Sequence, residues 1–233
     1  MDLGRIGIGY LNVQCLRSKL GLVERFCADS KLDILCISEH WLSSEECPHY
    51  SFIEELVLSA SYCRKAHRGG GVSIYVQSNK RTKEIDQGVF CLDLDIEVAA
   101  LELVDASTFV ISVYRSPNGN IENFFYKLDV CLSKFRCTSG NIIMGGDFNI
   151  ALNCNEPATR TFVNLLRTHG LYVVSEVPTR GDRCLDSIAT NMDSSRFRVH
   201  VTDPLVTDHS AVRMTANIHM VSESSRFPTW YCH

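Results

Sequence analysis

The chain has 233 residues, 45% of them hydrophobic and 21% charged. These values exclude a disordered or low-complexity polypeptide, and the length is enough to bury a large core. Lys plus Arg is 23 and Asp plus Glu is 27, a formal charge of −4, so nucleic-acid contacts, where present, must come from local patches rather than a global basic excess.

No apolar run approaches the roughly 18 residues of a membrane span. Met1-Asp2-Leu3-Gly4-Arg5 lacks the basic start and apolar stretch of a secretory signal. There are 11 cysteines, many inside apolar runs such as Ile34-Leu35-Cys36-Ile37, and no CxxC pair. Reduced core thiols in an intracellular compartment are therefore expected, rather than disulfides or a structural zinc site.

In chain order, residues 6–13 read as a strand, and Leu16, Leu20, Val23 and Cys27 then repeat at helical spacing. Residues 32–38 are a buried strand. Gly69-Gly70-Gly71 leads into another at 72–76. Residues 98–104 and 109–114 form two more, with Asp105-Ala106-Ser107 as their turn. A helix follows Pro117-Asn118-Gly119-Asn120, its apolar face made by Phe124, Leu128, Cys131, Leu132 and Phe135. Residues 141–145 are a strand. Pro157 suits the first position of the next helix and Gly170 its end, with Phe162, Leu165, Leu166 and His169 facing inward. Further strands cover 184–190, 197–201 and 211–216. No repeat or linker divides the chain, so one domain over 1–217 is expected, followed by a tail or the start of a linker over 218–233. The mixed order of strands and helices indicates two sheets covered by helices.

The informative residues stand where the apolar runs stop: Asn12, Glu39, Tyr114-Arg115, Asp147-Phe148-Asn149 and Asp208-His209, together with Asp186 inside its own run. Singly, each reads as a cap or turn residue. Asp186 is harder to dismiss, because a buried charge needs a partner. Collected at strand ends, they mark a site. Asn, Glu and Asp are hard oxygen ligands suited to Mg²⁺, with Mn²⁺ as a substitute, rather than zinc. A His paired with an Asp holds or exchanges a proton near neutral pH. The set suits metal-assisted phosphodiester hydrolysis.

Three strings, Gly146-Asp147-Phe148-Asn149, Ile37-Ser38-Glu39-His40-Trp41-Leu42 and Thr207-Asp208-His209-Ser210-Ala211-Val212, resemble the endonuclease/exonuclease/phosphatase superfamily. The likeness is closer to the apurinic-type endonuclease domain of non-LTR retrotransposons. That group's other motifs are resembled by Leu11-Asn12-Val13-Gln14-Cys15-Leu16-Arg17-Ser18-Lys19-Leu20, Gly69-Gly70-Gly71-Val72, Val113-Tyr114-Arg115-Ser116-Pro117, and Val177-Pro178-Thr179-Arg180 with Leu185-Asp186-Ser187-Ile188.

The resemblance implies a four-layered α/β sandwich of two packed mixed sheets flanked by helices, with the site at one edge. It implies that Glu39 and Asn12 bind the metal, with Asp208 a carboxylate near it. Asp147 orients or deprotonates the attacking water, and Asn149 and Tyr114 contact the phosphate. His209 stabilises the transition state and Asp186 orients it. Asp208 and His209 serve one site only if they lie in the turn before Ala211, since neighbours in a regular strand face opposite ways.

Arg115, Arg180 and Arg183 are candidate DNA contacts. Arg64, Lys65, His67 and Arg68 read either as a solvated face or as further phosphate contacts. Tyr172, Phe148 and Trp41 are expected in the core. Departures from the family are His40, where Thr is frequent, Thr207, where Ser is, and Gln14, where repair relatives carry an acid.

The leading expectation is a Mg²⁺-dependent endonuclease that nicks DNA and leaves a 3′-hydroxyl. It would be a nuclear-acting, intracellular monomer with no membrane contact: either a domain excised from a longer parent with a downstream reverse transcriptase, a truncated element copy, or a host protein derived from one. The alternatives are abasic-site repair, hydrolysis of a small phosphoester, or a catalytically silent nucleic-acid-binding protein.

Overall fold

Side-chain alternation sets the first strand. In β1 (Leu3–Asn12), Ile6, Ile8 and Tyr10 are buried while Arg5 is exposed. The structure is a computed structural model that describes residues 3–86, 88–135 and 139–220. Helix α1 (Leu16–Ser30) carries the chain over to β2 (Ile34–Ser38), which pairs parallel to β1. The chain continues through β3 (Phe52–Ile53), β4 (Leu56–Tyr62), β5 (Val72–Gln77), β6 (Thr82–Glu84), β7 (Glu97–Leu103) and β8 (Thr108–Tyr114). Helix α2 (Ile121–Ser133) then crosses to β9 (Asn141–Asp147), parallel to β8. Asn120 caps α2 by accepting the Asn123 N–H at 2.9 Å. After α3 (Pro157–Thr168) come β10 (Tyr172–Val173), β11 (Asp186–Thr190), β12 (Phe197–Val201) and β13 (Val212–His219).

The strands form a seven-stranded sheet, β12-β13-β1-β2-β5-β4-β3, and a six-stranded sheet, β10-β11-β9-β8-β7-β6. Between them lies a core that includes Ile6, Ile8, Tyr10, Ile74, Val110, Ile143 and Ile188. Helix α1 covers the outer face of the first sheet through Leu16, Val23 and Phe26 on Leu35, Ile37 and Tyr75. Helices α2 and α3 cover the second sheet, with Phe124, Leu128, Phe162 and Leu166 packed on Val98, Ile111 and Met144. The molecule is thus the expected four-layered sandwich of two mixed sheets flanked by helices.

Two parallel crossovers gather the site at one edge. The ends of β1 and β2 lie side by side, Asn12 opposite Ser38, and Glu39 follows at once. The ends of β8 and β9 do the same, Tyr114 opposite Asp147. The antiparallel β11 starts there, Asp186 opposite Asp147. Polar residues at the carboxyl ends of parallel strands thereby face one crevice.

Differences from the sequence expectation are local. Asp186 is the first residue of its strand rather than an interior one, so its carboxylate reaches the edge crevice. Strands β3, β4, β6 and β10 were not expected. Two of them have only two residues and β6 is a polar three-residue strand, so these three carry little periodic signal; β4 has seven residues, but only Leu56 and Ala60 are buried, which breaks the two-residue alternation. Strand β13 runs to His219, past the expected domain edge at 217. Residues 221–233 of the expected tail lie outside the described residues.

Candidate active site

The two sheets meet chemically through Asn12, which is fully buried. Its side-chain nitrogen donates to Glu39 Oε1 at 2.8 Å and to Asp147 Oδ2 at 2.9 Å. Its oxygen accepts the Gln14 N–H at 3.1 Å. Glu39 is half-buried and held at a left-handed φ of 57°. Its other oxygen accepts the Trp41 indole N–H at 3.0 Å. Asp147 also accepts the Asn149 N–H at 2.9 Å. Asn149 donates its amide to the Arg115 carbonyl at 2.7 Å.

Asp147, Asp186 and His209 are 1%, 3% and 1% exposed. His209 Nδ1 lies 2.9 Å from Asp186 Oδ2 and 4.0 Å from Asp147 Oδ2. Asp186 Oδ2 also accepts the Thr179 hydroxyl at 2.8 Å. A ring nitrogen that donates to a carboxylate has no lone pair for a cation, so these three side chains form a proton-holding triad. Burial works against a charged imidazole here, but the hydrogen bond and charge of Asp186 and the charge of Asp147 outweigh it, and the His209 pKa is raised. Burial first, then the charge of Asp186, pushes the Asp147 carboxyl up to about 8. Burial, then the charges of Glu39 and Asp147, pushes the Tyr114 phenol up, so that it stays a neutral donor.

This arrangement fits a divalent cation. Glu39, Asp147 and Asp186 bring three carboxylates to one crevice, and burial and the charge of Asp186 raise the cost of ionising Asp147, a cost that a compensating cation would offset. The oxygen donors are hard and suit Mg²⁺. Asp208 stands apart. It lies outside the regular strands with His209, but its side chain is 53% exposed and turned to Arg180 at 2.8 Å and Gln14 at 2.8 Å. Slight burial opposes the shift, yet Arg180 and Gln14 hold its carboxyl below the ordinary value.

The candidate DNA contacts divide. Arg180 and Arg183 are exposed beside the site. Arg115 is corrected: it is 6% exposed, and its guanidinium donates to the carbonyls of Phe148, Ser116, Gly119 and Asn149. It clamps the loops that carry Asn149, with four of its five N–H groups on backbone carbonyls. Trp41 and Tyr172, expected in the core, are 39% and 38% exposed. Phe148 is fully buried as expected.

Sequence reasoning missed a supporting tie. Glu97 is fully buried and lies opposite Tyr114 in the sheet, in line with Asp147 and Asp186. It accepts from the Arg64 guanidinium and the Gly71 N–H, joining one sheet to the other. Arg64, read from sequence as solvated or on phosphate, instead lies 5.6 Å over the Tyr114 ring with its side chain 6% exposed.

Above this pair Gly69, Gly70 and Gly71 all have positive φ, at 78°, 63° and 85°, a course open chiefly to glycine. A Cβ on Gly71 would come within 2.3 Å of the His40 ring. His40 in turn accepts the Leu42 N–H at 2.9 Å, and its other ring nitrogen lies 3.1 Å from the Tyr62 carbonyl. Burial lowers its pKa to about 4. The Gly70 carbonyl accepts the Trp41 N–H at 2.9 Å. Glu39 is therefore aimed by a chain of packed groups that starts at Glu97. The lone signal for this in the sequence is a glutamate inside an apolar strand.

The model of the family described as "Endonuclease-reverse transcriptase" matches residues 108–213, a span that includes Tyr114, Asp147, Asn149, Asp186 and His209 and begins after Asn12 and Glu39. Among solved structures, the endonuclease domain of TRAS1, a telomere-specific non-LTR retrotransposon, has a TM-score of 0.72 at 17% identity, over 91% of this chain and 98% of that one. The 3′ phosphatase NExo from Neisseria, bound to a product DNA hairpin, has a TM-score of 0.71 at 18% identity, over 93% and 100%. An AP endonuclease from Archaeoglobus fulgidus has a TM-score of 0.66 at 18% identity, over 91% and 99%. At these identities the structures establish a shared fold. A comparison with curated proteins gives no match.

Proposed function

We infer, from the match of residues 108–213 to the family described as "Endonuclease-reverse transcriptase" and from the shared fold, that the chain belongs to the endonuclease/exonuclease/phosphatase superfamily, nicks DNA by metal-dependent hydrolysis and leaves a 3′-hydroxyl. The observation that carries this reading is the convergence of two constellations on one edge: Asn12 between Glu39 and Asp147, and Asp186 on His209. Glu39 would be the principal holder of Mg²⁺, with Asn12 and Asp147 beside it. When bound there, the cation would supply Lewis-acid stabilisation of the phosphoryl oxygens and would favour the anionic form of Asp147.

Asp147, once anionic, accepts the proton of the water that attacks phosphorus. The bond from phosphorus to the 3′-oxygen breaks, the departing oxygen takes a proton from solvent, and the products are a 3′-hydroxyl and a 5′-phosphate. His209, kept protonated by Asp186, donates toward the phosphate as charge builds in the transition state. Tyr114 contributes a neutral hydroxyl, and Asn149 is fixed against Arg115 to present the remaining contact. Arg180 and Arg183 are phosphate contacts at the rim. The family description supports an element-encoded nuclease; action in the nucleus and a reverse transcriptase downstream in a longer parent are further parts of this proposal.

The experiment is plasmid nicking. Supercoiled DNA is incubated with the chain in Mg²⁺ or EDTA, with His209→Ala and Glu39→Gln as controls. A DNA polymerase then extends the nicks to read the 3′-hydroxyl. Metal-dependent nicking that both variants abolish, with extendable ends, supports the reading. Cleavage confined to abasic duplex would replace it with repair, and binding without cleavage would replace it with the silent alternative.

A further inference from the structure

The first sheet is covered unevenly on its outer face. Helix α1 packs on β2 and on the later part of β1, through Leu16 and Phe26 against Leu11 and Leu35. Among the described residues, the half formed by β12, β13 and the start of β1 has no such cover. Its inward positions, Ile6, Ile8, Met214, Ala216 and Ile218, belong to the core between the sheets. The outward positions alternate with them and carry Arg5, Arg198, His200, Arg213 and His219, with Thr215 and Asn217 between. None of these described outward positions holds an acid.

The register turns this list into a site. Arg5 pairs with Asn217, and Arg198 pairs with Thr215. These four residues, with Ser195 and Phe197, line a cavity of about 280 Å³. Arg5 and Arg198 are exposed, and neither has a salt bridge among the described residues. Neighbouring acids are already committed: Asp33 holds the Gly7 N–H and Lys80, Asp29 faces Arg25, and Asp193 accepts from Ser195. Arg213 continues the stripe, with one guanidinium nitrogen on the Ser30 carbonyl and its buried Nε without a partner. Two free guanidinium groups with hydroxyl and amide donors between them match the oxygens of a phosphodiester.

We propose that this face is a second DNA-binding surface, which takes the phosphate backbone of duplex DNA at the Arg5–Arg198 cavity. The occupant follows from what the face presents and where it lies. The rings near the face are the imidazoles of His200 and His219 and the phenyl of Phe197, which packs against the core between the sheets; what the face mainly presents is guanidinium groups, which suits the outward-facing phosphates of a duplex. Arg213 stands opposite Gly9, three residues below Asn12, and Arg5 is seven residues below it. The stripe therefore runs from about 10 Å to about 23 Å along β1 from the catalytic edge, on the order of seven base pairs of duplex rise. DNA held at the edge and following this flank gains contacts that carry no sequence information. The choice of DNA rests on the function proposed above.

The test is binding in EDTA, where no cleavage occurs, so that it reads independently of whether the chain nicks DNA. Fluorescence anisotropy with a duplex of about 40 base pairs is followed across a salt series for the wild type and for Arg5→Gln/Arg198→Gln. The Arg25→Gln/Lys83→Gln pair matches the charge change elsewhere, and single-stranded DNA and RNA of equal length are run in parallel. Loss of two phosphate contacts should weaken duplex binding about tenfold and reduce the salt slope by about 2. The control pair should leave the slope unchanged. A slope equal to the wild type, or an equal drop in the control pair, overturns the proposal. A loss confined to single strands overturns the duplex assignment. Arg198→Glu should deepen the effect, and its failure to do so counts against the site in the same way.

Discussion

Replacing Asp186 with Asn removes one charge at the centre of the site and almost no volume. In the native protein Asp186 Oδ2 accepts both His209 Nδ1 at 2.9 Å and the Thr179 hydroxyl at 2.8 Å, and its charge helps to raise the His209 pKa. Asn keeps an acceptor oxygen but not the charge. The imidazole then faces burial with less compensation, and its pKa should fall below that of the native protein. His209 is neutral more of the time, so turnover should fall by about 10²- to 10⁴-fold with little change in DNA affinity.

Stability should respond far less. The lost charged hydrogen bond costs about 1.5–3 kcal/mol. Against it stands relief of repulsion, because Asp186 lies directly opposite Asp147 and pushes its pKa up. With these terms opposed, the melting temperature should move by less than about 4 °C. The assays are single-turnover nicking from pH 5.5 to 9, DNA affinity in EDTA, and an NMR titration of His209. Full turnover in the variant, or a His209 pKa equal to the native one, would refute the argument that Asp186 charges the histidine.

Three further outcomes follow from the same geometry. Glu97→Gln should destabilise the fold by about 3–5 kcal/mol by leaving the buried Arg64 guanidinium uncompensated, whereas Arg64→Met/Glu97→Met should recover much of that loss in urea unfolding; equal loss in both would remove the pair as the cause. Arg115→Ala should lower the melting temperature and nicking while leaving the salt slope of DNA binding unchanged, because its four acceptors are backbone carbonyls; a slope lower by about 1 would restore it as a phosphate contact. Metal-free protein should lose stability as pH rises toward and through about 8. Asp147 and His209 both have raised folded-state pKa values, so the native state binds more protons than the unfolded chain in that window. Mg²⁺ affinity should rise over the same range as the proton on Asp147 is displaced, and a flat thermal-shift profile between pH 6 and 9 would contradict both shifts.

Much of the fold was legible in the residues. The alternating apolar run of β1, the Asn120 cap and Pro157 start of the two later helices, and the polar residues closing β1, β2, β8 and β9 are local patterns. Local patterns need no long-range knowledge to read. The weak elements were not legible. Strands β3 and β10 have two residues each and exist only because a neighbouring strand supplies their hydrogen bonds. Trp41 and Tyr172 read as core because large aromatics usually are, yet both sit at edges where the chain turns or the sheet ends.

For the site, the residue types alone determined the chemistry: hard oxygen donors, one histidine and an acid to orient it. Which residues meet, and in which protonation state, was decided by tertiary structure. Asn12 and Asp147 are 135 positions apart and touch because one crossover ends on each sheet at the same edge. The Asp147 pKa is raised by burial and by Asp186 opposite it, a pairing set by strand register. Arg115 became a clamp and Arg64 a buried partner because carbonyls and Glu97 surround them, and Asp208 turned outward to Arg180 while its neighbour His209 turned in. A sequence carries charge and size residue by residue, but desolvation and opposing charge are properties of what surrounds a group, and those exist only once the two sheets have packed.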